Sequence, residues 1–267
     1  MWYKLDKQII IVLVLNFIIS LIGTLAYSVR LVGVRTGKIA VTFAVFNVLM
    51  LVSRTALTFQ TPLLTKFVES DPSSGALLNI FNLIIIISGI ASIVGAFLIP
   101  TFQQMFSKAV NHFSIERSMP KLIIHSFSKN GVKYMKESIA IPVKESLTSI
   151  NYRILPKKIL FYNFISVAII TAGAFAPIYA ASISPDLRMT CLSLSPVING
   201  TATILTSIFI DPHLSIMTDD VVDGKCSEED FRACVIAMVG SKVVGTFVAL
   251  LLFVPASYLI AFVANFI

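Results

Sequence analysis

The sequence predicts an all-α, polytopic integral membrane protein with about six transmembrane helices. Three observations carry that reading. Of the 267 residues, 56% are hydrophobic and only 13% are charged, against about 25% charged in a soluble domain. The mean hydropathy is +0.87. Several apolar runs reach the roughly 18 residues that read as a membrane span.

The first apolar run, in "MWYKLDKQIIIVLVLNFIISLIG", has Lys4 and Lys7 ahead of it, as a cleaved leader would. Asn16 and Ser20 interrupt it, and no small-x-small cleavage site follows. It therefore reads as a first span, with Trp2 and Tyr3 as interfacial anchors. The six spans are expected at 8–29, 39–60, 77–99, 159–182, 187–210 and 231–263. The last is too long for one straight crossing, so it either runs beyond the bilayer or kinks near Pro255.

The connections set the topology. Arg30, Arg35 and Lys38 join spans one and two. Residues 100–158 hold ten Lys/Arg against Glu116, Glu137 and Glu145, a net of +7, equal to the formal charge of the entire chain. The positive-inside rule places both connections in the cytoplasm. They are two spans apart, so the assignments agree, and both termini face outward. The expected organisation is a membrane unit at 1–100, a basic cytoplasmic segment at 101–158 and a second membrane unit at 159–267. Within the basic segment, Phe102, Met105, Phe106, Ala109, Val110 and Phe113 repeat at helical spacing on one face. That is an amphipathic helix, either continuing span three and packing on protein or lying on the inner leaflet, where its charge suits anionic membrane lipids.

An offset of 150 residues aligns the two units without gaps. "FQTPLL" (59–64) falls on "FIDPHL" (209–214), "VGAF" (94–97) on "VGTF" (244–247), and Gly23 on Gly173. Each unit would hold three spans, and an odd number inverts the second copy relative to the first, as in many transporters. Two inverted three-helix repeats are therefore expected.

Polar residues inside the spans are the candidates for function. Arg54 stands well inside span two, about 22 Å from Ile39 along an ideal helix axis. A guanidinium in lipid costs several kcal/mol, so a partner is expected for it. Asn47, Arg54, Thr58 and Thr61 share a stripe about 60° wide. Ser195, Asn199, Thr203 and Thr206 share a face of span five, the matching member of the second unit. Pro196 and Gly200 among them point to a broken helix. Hydrogen bonding between helices would account for the hydroxyls equally well. Lys242 is the other deep cation, about 17 Å from Phe231 along the axis. Arg30, Arg35 and Lys38 guard the inner mouth. No Asp or Glu lies within an expected span away from its ends, so these cations call for an anion from elsewhere.

Other chemistry is thinly represented. The three cysteines have no metal-type spacing and imply no disulfide framework. There is no HExxH pattern and no glycine-rich phosphate loop. No cofactor and no nucleic-acid partner are expected. Asp219, Asp220 and Asp223 spell DDxxD, the spacing by which prenyltransferases hold magnesium on a diphosphate, though those enzymes normally show two such motifs. The alternative is an acidic loop, in which Ser227 and Asp230 form a capping box at the entry to span six.

"YSVRLVGVRTGKIAVTFAVFNVLMLVSRT" (27–55) and "SIFIDPHLSIMTDD" (207–220) resemble the Amj family, the alternate lipid II flippases of Gram-positive bacteria. Chain length, the six-span pattern and the long basic segment agree with that resemblance. It implies residence in the bacterial cytoplasmic membrane. The implied substrate is undecaprenyl-diphosphate-linked peptidoglycan precursor, lipid II, moved from the inner to the outer leaflet. A lipid diphosphate needs cations along its route, and arginine donates in a fork suited to phosphate oxygens. On this reading Arg54, Lys242, Arg30, Arg35 and Lys38, with Asn47, Asn199 and Thr203, contact the substrate. Two competing readings are a magnesium-dependent intramembrane enzyme acting on prenyl diphosphates through the DDxxD run, and a scaffold for envelope enzymes.

Overall fold

The computed structural model describes residues 7–70, 74–118 and 155–267, with scattered positions between 121 and 140. Trp2, Tyr3 and much of the basic segment lie outside the described residues. Among the described residues all regular structure is helical, and six stretches are long and apolar enough to cross a membrane.

The first span is α1 (Lys7–Leu25) joined by a 3-10 turn to α2 (Val29–Thr36). Gly37, at φ 66°, ends it, and its N–H closes back on the carbonyls of Gly33 and Val34. Only glycine takes that left-handed turn without strain. α3 (Ile39–Ser70) and α4 (Ser74–Glu116) form the second and third spans. α4 passes through Pro100 unbroken, so the amphipathic stretch continues span three. Phe102, Phe106 and Val110 are buried against Leu25, Val29, Val32 and Val45, and Met105, Ala109 and Phe113 pack on the same cluster. That face is therefore covered by protein.

The fourth span is α5 (Lys157–Ile183). The fifth is broken, as Pro196 foretold. α6 (Arg188–Ser193) stops, α7 (Ser195–Leu205) restarts with Pro196 in its first turn, and a π-helical segment (Thr206–Ile210) leads into α8 (Asp211–Val222). Gly200 is simply inside α7. The sixth span, α9 (Glu228–Ala264), is one uninterrupted helix through Pro255. Its 37 residues measure about 56 Å, more than one bilayer crossing. Ser227 caps it: its Oγ accepts from the Asp230 N–H at 3.0 Å and donates to the Asp230 carboxylate at 2.7 Å.

In each half the first span packs most extensively on the third, α1 on α4 and α5 on α9. The second span of each half leans on the first. The halves join chiefly through α4 and α9. α3 and the broken α6–α8 span are the least buried. α5 and α9 come close because Gly245 has no side chain; a Cβ there would stand 2.7 Å from the Phe164 carbonyl oxygen. Small residues at such crossings let membrane helices gain van der Waals contact. The connection between spans one and two, the far end of α4 and the start of α9 gather at one end of the bundle. Arg35 pairs there with Glu228, and Lys38 donates to Asn111 and Ser114.

Gly245→Leu forces α5 and α9 apart and is expected to lower stability by roughly 1–3 kcal/mol. Gly200, with open space around it, should accept alanine without loss. Chemical unfolding of the detergent-purified protein separates the two.

Candidate functional site

A cavity of about 580 Å³ lies between the two halves, lined by α1, α3, α4, α5, α8, α9 and the π-helical segment. Its character changes along its length. At one end stands Arg30. Its Nη1 donates to Ser215 Oγ at 2.9 Å, its Nη2 pairs with Asp211 Oδ1 at 3.4 Å, and its guanidinium lies 5.2 Å over the Phe43 ring. Asp211 reaches the lining because the fifth span runs on to Val222. The expectation of cations with no acid inside a span is corrected at this one place.

Further in stands Lys242. Its Nζ donates to the Ser20 carbonyl at 3.3 Å and lies 5.9 Å from the Tyr27 ring centroid. A Cβ at Gly23 would stand 3.0 Å from that nitrogen, so the ammonium sits close against the α1 backbone. No carboxylate pairs with it among the described residues. One carbonyl and one ring face leave an ammonium with unused donor capacity in a largely apolar cavity.

Two asparagines tie the halves internally. Asn16 Nδ2 donates to the Ile84 carbonyl at 2.9 Å and to Ser88 Oγ at 2.7 Å, binding span one to span three. Asn163 Nδ2 donates to the Met238 carbonyl at 3.0 Å and to Ser241 Oγ at 2.7 Å, binding span four to span six. Asn163 Oδ1 accepts from the Tyr27 hydroxyl at 2.7 Å, a link between the halves. Asn163 lies near the start of α5, at the Arg30 end; Asn16 lies toward the opposite end. Beyond Asn16 the bundle is sealed by Phe81, Phe175, Tyr179 and Phe253, whose ring centroids are 5.3–6.2 Å apart.

The residues singled out from sequence divide sharply. Arg30 and Lys242 line the cavity. Arg35 and Lys38 do not; they tie α2 and the start of α3 to α4 and α9. Arg54 and Asn47 are exposed, and the Arg54 guanidinium has no partner among the described residues. On an ideal helix the cavity-lining residues of α3 form one stripe, and the Asn47–Arg54 stripe lies about 80° further round, away from the face buried on α1 and α4. Arg54 thus flanks the cavity. Ser195, Asn199 and Thr203 do not line it: Thr203 is exposed, and Asn199 turns toward Gly173 on α5. Thr206 alone of that face reaches the lining, bonded to Ser166 at 2.8 Å. Asp219, Asp220 and Asp223 fall at the end of α8, where Asp223 pairs with Lys225. Among the described residues no three acidic, His or Cys side chains come together to hold a metal.

Sequence reasoning passed over Asn16, Gln60, Asn163 and Tyr27. A signal existed for the two asparagines: each is an uncharged amide interrupting an apolar run, which in a membrane implies a hydrogen-bond partner on another helix.

Together these features define a multi-pass helical membrane protein with a cation-bearing cavity between two three-span halves. The chain belongs to the Amj family, described as alternate to MurJ, which matches residues 15–264. It is 33% identical to the lipid II flippase Amj of Bacillus subtilis (strain 168) over 267 residues, 98% of this chain and 99% of that protein. No solved structure matches the chain significantly.

Asn163→Leu strands the Tyr27 hydroxyl and removes the amide that donates to Ser241 and the Met238 carbonyl, and should cost about 2 kcal/mol. Tyr27→Phe removes one bond of the same set and should cost about 1 kcal/mol. Unfolding of both variants in detergent reads the difference.

Proposed function

We propose that this protein is a lipid II flippase, moving undecaprenyl-diphosphate-linked peptidoglycan precursor from the inner to the outer leaflet. One observation carries the reading: Lys242, an ammonium with no paired acid, faces an internal cavity in a chain akin along its whole length to a protein of that name. The diphosphate supplies the missing anion. Arg30 stands toward the entry end, half-neutralised by Asp211, so it hands on rather than traps an anion. Arg54, at the flank of the cavity on the poorly buried α3 and about 22 Å from its cytoplasmic end, meets the diphosphate of the lipid late in its passage. Its tail stays in lipid while its head group uses the cavity.

The positive-inside rule puts the Arg30 end in the cytoplasm and both termini outside. The aromatic seal then closes the outer side, and the structure is the inward-facing state. The units 1–100 and 159–267 act as inverted repeats, with residues 101–158 on the cytoplasmic side. The two asparagine ties support this: each joins the first span of its unit to the third, and they lie toward opposite ends of the cavity, as inversion requires.

Lys242→Gln and Arg30→Gln should reduce translocation of lipid II by purified protein in liposomes to background, with insertion intact. Arg54→Gln should slow it about tenfold, a barrier change of about 1.4 kcal/mol. Arg54→Lys should retain part of the activity, keeping charge but losing the fork. Normal flipping by Lys242→Gln would remove the reading.

Native Cys226 tests the orientation, since it lies between spans five and six and is partly exposed. A membrane-impermeant maleimide should label it in inside-out vesicles and not in intact cells. The reverse result would invert the topology.

A further inference from the structure

Gln60 is 1% exposed, yet it lines the cavity. Its Nε2 donates to Asn16 Oδ1 at 3.3 Å. Its Oε1 is buried and has no hydrogen-bond partner. A buried amide oxygen left unpaired costs free energy comparable to a lost hydrogen bond. The helices around it hold their own polar groups closed: Asn16 is spent on Ile84 and Ser88, and Ser88 and Ser92 bond back along α4. What remains is one unpaired acceptor on a side chain of the cavity wall, in a neutral surround of amide and hydroxyl groups.

Position gives that acceptor meaning. Lys242 reaches the α1 backbone at Ser20, and Asn16 lies one turn beyond it, about 6 Å along the axis. The cavity therefore has an ammonium, then a neutral hydrogen-bonding pocket one turn deeper, then the aromatic seal. A diphosphate held at Lys242 with its tail toward the flank of α3 sends the group on its other phosphate into that pocket.

We infer that the Gln60–Asn16–Ser88 cluster is a binding subsite for the neutral, hydroxyl- and amide-bearing sugar joined to the diphosphate, with Gln60 Oε1 accepting from it. This rests on the proposed transport of a diphosphate-linked lipid. An uncharged site suits an uncharged sugar. An acceptor with no protein donor rejects a ligand that lacks an O–H or N–H at that point, because the ligand then leaves the oxygen unpaired. Selection would thus fall on the head group, and the cations would supply attraction common to every lipid diphosphate.

The test uses two lipid probes with the full-length protein in nanodiscs: lipid II, and undecaprenyl diphosphate, which has no sugar. Wild-type protein should bind lipid II more tightly. Gln60→Met keeps side-chain length and removes the acceptor. It should weaken lipid II binding by about five- to tenfold, the worth of roughly one hydrogen bond, and leave undecaprenyl diphosphate binding unchanged. Gln60→Glu keeps an acceptor but adds a charge beside the diphosphate, so it should weaken both probes. Equal loss of both probes in Gln60→Met would mean a structural role and overturn the subsite. Unchanged lipid II binding would mean that water fills the position, and would also overturn it. Failure of wild-type protein to bind either probe would instead sink the transport reading itself.

Discussion

An ammonium held inside a membrane protein without a carboxylate beside it constrains everything around it. Lys242 is met by a carbonyl at 3.3 Å and a ring face at 5.9 Å, neither of which neutralises it. Cation–π and carbonyl contacts offset part of the desolvation. A paired acid would offset more, but it would also occupy the site. The spans around Lys242 are spaced so that its side chain lines an open cavity.

The asparagine ties show how that spacing is held. A cavity between two halves weakens the apolar packing that would otherwise join them. Asn16 and Asn163 instead stiffen each half from within, by two hydrogen bonds each to the third span of their own half. Such bonds are directional, so they fix the rotation of α1 against α4 and of α5 against α9, which close packing of leucines and isoleucines would not. Each half becomes a stiff pair with a looser arm, α3 in one and α6–α8 in the other. The looser arms border the cavity. A route for a lipid requires walls that can part, and the least buried spans are the ones available for it.

Charge at the end of the bundle near Arg35 and Lys38 is arranged differently from charge within. Arg35 and Lys38 are consumed by Glu228, Gln103, Asn111 and Ser114; they clamp the ends of helices. Arg30 instead lines the cavity, bonded to Ser215 at 2.9 Å and paired with Asp211 at 3.4 Å. The same residue type thus serves as a strut at the helix ends and, about one and a half turns earlier in α2, as part of a cavity wall.

The sequence alone determined the membrane class, the number of spans, the break at Pro196 and the cap at Ser227. All follow from local composition and spacing, because a membrane span must satisfy its own backbone and exclude most charge. Tertiary structure decided which polar residues face one another. The stripe of Asn47, Arg54 and Thr58 was legible as a stripe, but its direction was set by which face of α3 packs on α1 and α4. Asn199 and Thr203 share a face that the α7 break turns away from the cavity. Asp211 looked terminal until the fifth span proved to run on to Val222. Gln60 stood in sequence only as an amide at the end of the second expected span. Its importance comes from an oxygen left without a partner, and that is a property of the six spans assembled and of no single helix.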